Sequence, residues 1–138
     1  MQGPSKNETR QRKESLTLSE KRGDFEVFAR ARWMGEDLIV ELWGGVAHIG
    51  AVAAAQPRPS LRDSQVTSAT SSVFTFLGHK EDAPAKVLSE ALSSRLNRKV
   101  VVVAGIHWDD ARPEDLRQIM VACEALTETL VECLKTTV

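Results

Sequence analysis

Three histidines, His48, His79 and His107, are the residues of this chain best suited to chemistry. An imidazole can ligate a metal ion, carry a proton near neutral pH, or grip phosphate and ring oxygens of a ligand. Each of the three stands where an apolar run starts or stops. His48 follows Gly44-Gly45 and opens Ile49-Gly50-Ala51-Val52, His79 follows Phe76-Leu77-Gly78, and His107 ends the run that begins at Val100. Such positions lie at the rim of a core, so convergence on one pocket serving binding rather than folding is expected. Converged, they are candidate ligands for Zn²⁺, Fe²⁺ or a similar ion. Apart, they are surface histidines satisfied by water or backbone. Their spacings match no standard zinc motif.

Other chemistry is less supported. Cys123 and Cys133 fall in one helical pattern, about 15 Å apart at 1.5 Å per residue, whereas a disulfide needs roughly 4.4–6.8 Å between Cα atoms. They cannot pair within the chain, and Cys123 lies on an apolar stripe where core packing is the better reading. Asp109 and Asp110, beside His107, are carboxylates available for acid–base work, but the start of the last helix claims one of them more readily as a cap or favourable charge.

The elements that must position these residues follow from periodicity. The run Lys99 to Asp110 organises the rest: four consecutive valines suit a buried strand with layers above and below it. Phe25 to Trp33 alternates as a half-buried strand, Met34-Gly35-Glu36-Asp37 is a turn, and Leu38, Val40 and Leu42 mark a second strand paired with the first. His48 to Ala55 reads as a third, completing an antiparallel meander. Gln56 to Ser72, rich in Pro, Ser, Thr, Asp and Gln, reads as a mobile loop or lid able to close over the histidines. Ser72 to Leu77 returns to strand. Asp82 is placed to cap a helix carrying Val87, Leu88, Ala91, Leu92 and Leu96. Pro113-Glu114-Asp115 opens a second helix with an apolar stripe of Leu116, Ile119, Met120, Cys123, Leu126, Leu130 and Leu134.

The chain has 138 residues and 15.2 kDa, the size of one domain able to bury its own core. A formal net charge of −1 favours neither nucleic acid nor an anionic membrane. No apolar stretch approaches the ~20 residues of a membrane span, and the basic, Ser- and Glu-rich N-terminus has no apolar segment of a secretory signal, so a cytoplasmic location is expected. Residues 1–23 carry only Leu16 and Leu18 as sizeable buriable side chains and read as a disordered polar tail, with the structured domain at 24–138. The cluster Arg10-Gln11-Arg12-Lys13 reads as part of that solvated tail. The expected fold is α+β: a single, mostly antiparallel sheet of five to six strands with two helices, in the order β-β-β-β-α-β-α.

Gly44-Gly45, His48-Ile49-Gly50, His79-Lys80 and Ala104-Gly105-Ile106-His107, in that order and with a helix between the last two, resemble the small D subunit of gallate and related hydroxyarylic acid decarboxylase systems. The resemblance spans about Asp24 to Val138 and implies a fold related to small proteasome-assembly chaperones. It implies a non-catalytic carrier or chaperone of prenylated flavin mononucleotide, or of FMN itself, serving a separate flavin-dependent decarboxylase, together with a homo-oligomeric state. Gly44, Gly45 and Gly50 would bring backbone amides to the phosphate, His79 and Lys80 would supply charge, and His107 with Trp108 would border the ring, with His48 alongside. Two readings of other classes stay open: a metal-dependent enzyme using the three histidines, and a ligand-free assembly module joined through a sheet edge or the last helix.

Overall fold

The computed structural model describes residues 15–76, 78 and 82–138. Its frame is one six-stranded sheet: β1 (Leu16–Arg22), β2 (Phe25–Met34), β3 (Asp37–Gly45), β4 (Ala51–Pro59), β5 (Thr67–Thr75) and β6 (Val100–His107). Helix α1 (Asp82–Leu96) precedes β6 and α2 (Pro113–Lys135) follows it. The spatial order is β1-β2-β3-β6-β4-β5, with every pair antiparallel except β3 and β6, which run parallel. This is the expected α+β class.

Alternation builds the buried side. Val27, Ala29 and Ala31 of β2, Leu38, Val40 and Leu42 of β3, Val100, Val102 and Ala104 of β6, and Ala51 and Ala53 of β4 all point to one face, each at most 2% exposed. Both helices pack there. α1 contributes Ala85, Leu88, Leu92 and Leu96, and α2 contributes Ile119, Ala122, Cys123, Leu126, Leu130, Val131 and Leu134. Burial pushes the Cys123 thiol up to about 12, so it is a packed, unreactive side chain. Where α1 buries polar groups it satisfies them: Ser93 Oγ donates to the Arg98 carbonyl at 2.7 Å, and Ser89 Oγ to Lys86 at 3.0 Å. Asn97, at φ +54°, ends that helix in the left-handed conformation, which Asn tolerates better than most residues.

Several expectations need correction. Residues 16–22 are not tail but a strand: β1 pairs with β2 from Leu16↔Ala31 to Arg22↔Phe25, and Leu16 and Leu18 pack on the core. The remainder of the expected tail, residues 1–14, lies outside the described residues. β4 starts at Ala51 rather than His48 and pairs with β6 and β5, so it is not the third strand of the expected meander, which is made instead by β1, β2 and β3. The parallel β3–β6 pair comes between β3 and β4, a non-local pairing that local alternation cannot announce. The Gln56–Ser72 lid is instead the tip of the β4–β5 hairpin. Pairing continues to Pro59↔Thr67, Ser60 donates its N–H to the Val66 carbonyl at 2.8 Å, and Arg58 Nε reaches Thr70 Oγ1 at 2.6 Å. Polar composition here marks an edge hairpin.

The stripes of both helices are also narrower than expected, because Val87, Leu116 and Met120 are exposed. The cap of α2 is neither Asp109 nor Asp110. Asp115 reaches back to accept the Arg112 backbone N–H at 2.9 Å. Finally, among the described residues both helices cover β6 on the same side. Val101 and Val103 point away from both helices, and Val101 is 36% exposed.

Candidate functional site at the tip of β6

The parallel pairing carries β3 to the end of β6, with Gly44 opposite Ile106 and Gly45 opposite His107. The chain must then reach β4 on the other side of β6. It does so through a strap, Val46 to Gly50, tied down at both ends: Val46 N–H donates to the His107 carbonyl at 2.8 Å, and Gly50 N–H to the Ala104 carbonyl at 2.9 Å. Between these anchors the strap lies on Gly105. A Cβ there would sit 1.6 Å from the His48 carbonyl oxygen, so only glycine permits the crossing. Gly45 has φ +65°, and a Cβ on it would come within 2.0 Å of the His107 carbonyl. Gly45 and Gly105 thus make the crossing possible, and the amide of Gly50 is donated to Ala104.

The strap brings two of the three histidines together. The rings of His48 and His107 are 6.3 Å apart between centroids and nearly perpendicular, at 84°. His48 Nδ1 lies 2.9 Å from the Val46 carbonyl. A carbonyl only accepts, so Nδ1 carries the proton and Nε2 of the neutral ring is an acceptor. His107 is oriented the other way round: its Nε2 faces Asp109 Oδ1 at 3.0 Å, which makes Nδ1 its acceptor nitrogen when neutral. Either ring becomes an all-donor group on protonation, suited to an anionic oxygen.

His79 and Lys80 lie outside the described residues. The strand leading towards them ends at this corner, where Phe76 N–H donates to the Gly50 carbonyl at 2.9 Å. Trp108 is described and does not join His107. Its indole packs edge-on against Phe25, 5.2 Å between centroids at 85°, and fills the space over Gly44, where a Cβ would meet the ring at 2.6 Å. Phe25 and Gly44 are on the helix side of the sheet and His107 is on the open side, so neighbouring residues serve opposite faces.

The corner has apolar walls that sequence reading did not single out. Phe74 and Phe76 are 62% and 45% exposed and meet edge to face at 5.0 Å, and Ile49 on the strap is 59% exposed. Their signal was weak: Phe74 and Phe76 stand two apart at the end of β5, but Val73 beside them is also apolar, so alternation does not mark which side is open. Among the described residues no three His, Cys, Asp or Glu side chains are grouped to hold a metal ion, and no helix is long and apolar enough to cross a membrane.

The sequence profile of the prenylated flavin chaperone LpdD-like domain matches residues 21–135. A solved structure described as a novel chaperone complex for yeast 20S proteasome assembly superposes with a TM-score of 0.53 at 15% identity, covering 91% of this chain and 98% of that one. At that identity the likeness concerns the fold. No curated protein matches the sequence.

Proposed function

The chain belongs to the prenylated flavin chaperone LpdD-like family, and from that premise we propose that it is a non-catalytic carrier. It holds prenylated FMN, or FMN, at the β6 corner for delivery to a partner decarboxylase in the cytoplasm. The observation that supports this reading is the pairing of His48 with His107 beside exposed Phe76 and Ile49. A flavin mononucleotide combines a dianionic phosphate with a broad flat ring. Imidazoles suit the oxygens, and aromatic and aliphatic side chains suit the ring. His79 and Lys80 add charge in this proposal. Gly44, Gly45, Gly50 and Trp108 support the corner from behind. The cargo supplies the electron-accepting ring for chemistry performed elsewhere, while this chain binds, orients and releases it.

The test is co-expression with a prenyl-flavin synthase, followed by the absorption spectrum and mass of whatever co-purifies. A bound flavin is expected, with retention markedly weakened in His48→Ala and His107→Ala. Both variants should lose less than about 1 kcal/mol of stability, as surface substitutions do. Protein that retains no flavin from a flavin-rich lysate would refute the carrier role.

A further inference from the structure

The two edge strands of the sheet are finished differently. β1 carries Glu20, Lys21 and Arg22, the kind of charged side chain with which native edges discourage a further strand. β5, the edge strand at the other end of the order, has none of these devices. Its residues Thr67–Thr75 include no charge and no proline, and its register with β4 runs without a bulge. Two bonds fix which way its backbone groups point: Ser60 N–H donates to the Val66 carbonyl and Phe76 N–H to the Gly50 carbonyl. Antiparallel ladders alternate, so Ser68, Thr70, Ser72 and Phe74 bond inward to β4, while Thr67, Ala69, Ser71, Val73 and Thr75 turn their N–H and C=O groups outward. Among the described residues no strand takes these groups up. We propose that an extended segment of the enzyme that receives the cargo does so, adding a strand beside β5. The proposal rests on the carrier reading above.

The side chains along the edge define the segment. Towards the β6 corner, Phe74 is exposed on the open side of the sheet and Val73 on the helix side. Towards the hairpin tip, Ser68, Ala69, Thr70, Ser71 and Ser72 are small and uncharged. The charged groups that touch the strand are already engaged: Glu90 accepts from Ser71 Oγ at 2.7 Å and from Lys86, and Arg58 donates to Thr70 Oγ1. The segment that fits is therefore uncharged, small and polar at one end, and aliphatic or aromatic at the end beside the corner. That apolar end would lie next to Phe76, so docking brings the acceptor to the place where the flavin is held. Other occupants fit less well. Residues 1–14 contain Lys6, Glu8, Arg10, Arg12, Lys13 and Glu14 and lead into β1, on the opposite edge. A second copy paired antiparallel through its own β5 about Ser71 would set Phe74 across from Ser68, apolar end against polar end.

The test uses the full chain loaded with flavin and the apo form of a flavin-dependent hydroxyarylic acid decarboxylase. On mixing, hydrogen–deuterium exchange should slow at the amides of Thr67, Ala69, Ser71, Val73 and Thr75, and stay unchanged along β1. Val73→Pro removes one outward N–H and spares the ladder to β4, a position where an edge strand tolerates proline. Losing that bond should weaken association about tenfold and slow flavin transfer with it, while the variant alone retains flavin like the unmodified chain. Val73→Lys, which puts a charge on the edge without changing the backbone, should do the same, so the outcome is readable even if the proline variant fails to fold. Transfer that proceeds while the outward amides exchange as before overturns the edge proposal and leaves the carrier role standing. So does transfer insensitive to both variants, or protection of the edge that appears without the enzyme, as pairing between copies would give. A chain that holds no flavin overturns both.

Discussion

The two faces of this sheet are made by alternate residues of the same strands, yet they are built to opposite rules. On the helix face, alanines of β2 and β4, Ala29, Ala31, Ala51 and Ala53, flank larger side chains of the central β3 and β6, Leu38, Val40, Leu42, Val100 and Val102, all but inaccessible. The helices add Leu88, Leu92, Leu126 and Leu130 against them. Small residues on the sheet let helices settle close, and interdigitation then fills the volume. The open face carries its own bulk in Phe28, Trp43 and the outward valines, with no helix among the described residues set against them.

The sharpest way to break the comparison is to place the same charge on neighbouring valines. Val102 is fully buried against the helices, and Val102→Asp strands a carboxylate in an apolar layer at a cost on the order of 4 kcal/mol. Val103→Asp, one residue on, projects from the open face and should cost the isolated chain under about 1 kcal/mol. Urea unfolding of the two variants, compared as monomers, measures the gap. Equal losses would mean that both faces are buried within a single chain.

Removing residues 1–21 comes next in size. It deletes β1 as far as Lys21 and exposes the β2 edge together with the side chains that Leu16 and Leu18 cover. Loss of those two leucines' partial burial, at ~25 cal/mol per Å², amounts to about 2 kcal/mol, read as a fall of several degrees in Tm. An unchanged Tm would mean that β1 adds nothing to the helix face.

The fate of β1 shows what was legible in the sequence. An edge strand needs only one half-buried side, so two leucines suffice, and composition alone resembles a tail. Strands β2 and β3 and both helices were readable because their periodicity runs long enough to fix the buried side. The place of β4 was not: its buried side is Ala51, Ala53 and Ala55, with no side-chain bulk to specify a neighbour, and the β3–β6 pairing joins residues some sixty positions apart. At the site, the positions of His48 and His107 at strand ends were legible, and their meeting was not, because it depends on the strap. Strand alternation already implied that Trp108 and His107 face opposite ways. The attraction of a His-Trp pair as a ring site obscured it.

Gly105 tests the strap directly. Gly105→Ala drives a methyl into the His48 carbonyl, and the backbone must move to relieve it, for about 2 kcal/mol. The His48–His107 contact should open with it, so the imidazole chemical shifts of both rings should change together. If only stability falls and the two rings keep their shifts, the strap does not set their meeting.

The smallest effect lies at the start of α2, far from either valine. The Arg112 backbone N–H, and then its guanidinium, hold the Asp115 carboxyl below its ordinary value. A depressed carboxylate contributes stability above its unfolded pKa and loses it as pH falls through the lower folded value. Asp115→Asn should therefore lower Tm slightly at neutral pH, since the cap loses its charge at the positive end of the helix. The difference from the unmodified chain should shrink as pH drops below about 4, where the carboxyl of the unfolded chain takes up its proton, and vanish once pH falls below the lower folded value. Because Asp115 serves a helix that packs on the helix face of the sheet, its loss should leave the open face untouched. A change in the chemical shifts of the Trp43 ring in this variant would mean that the two faces are coupled through α2.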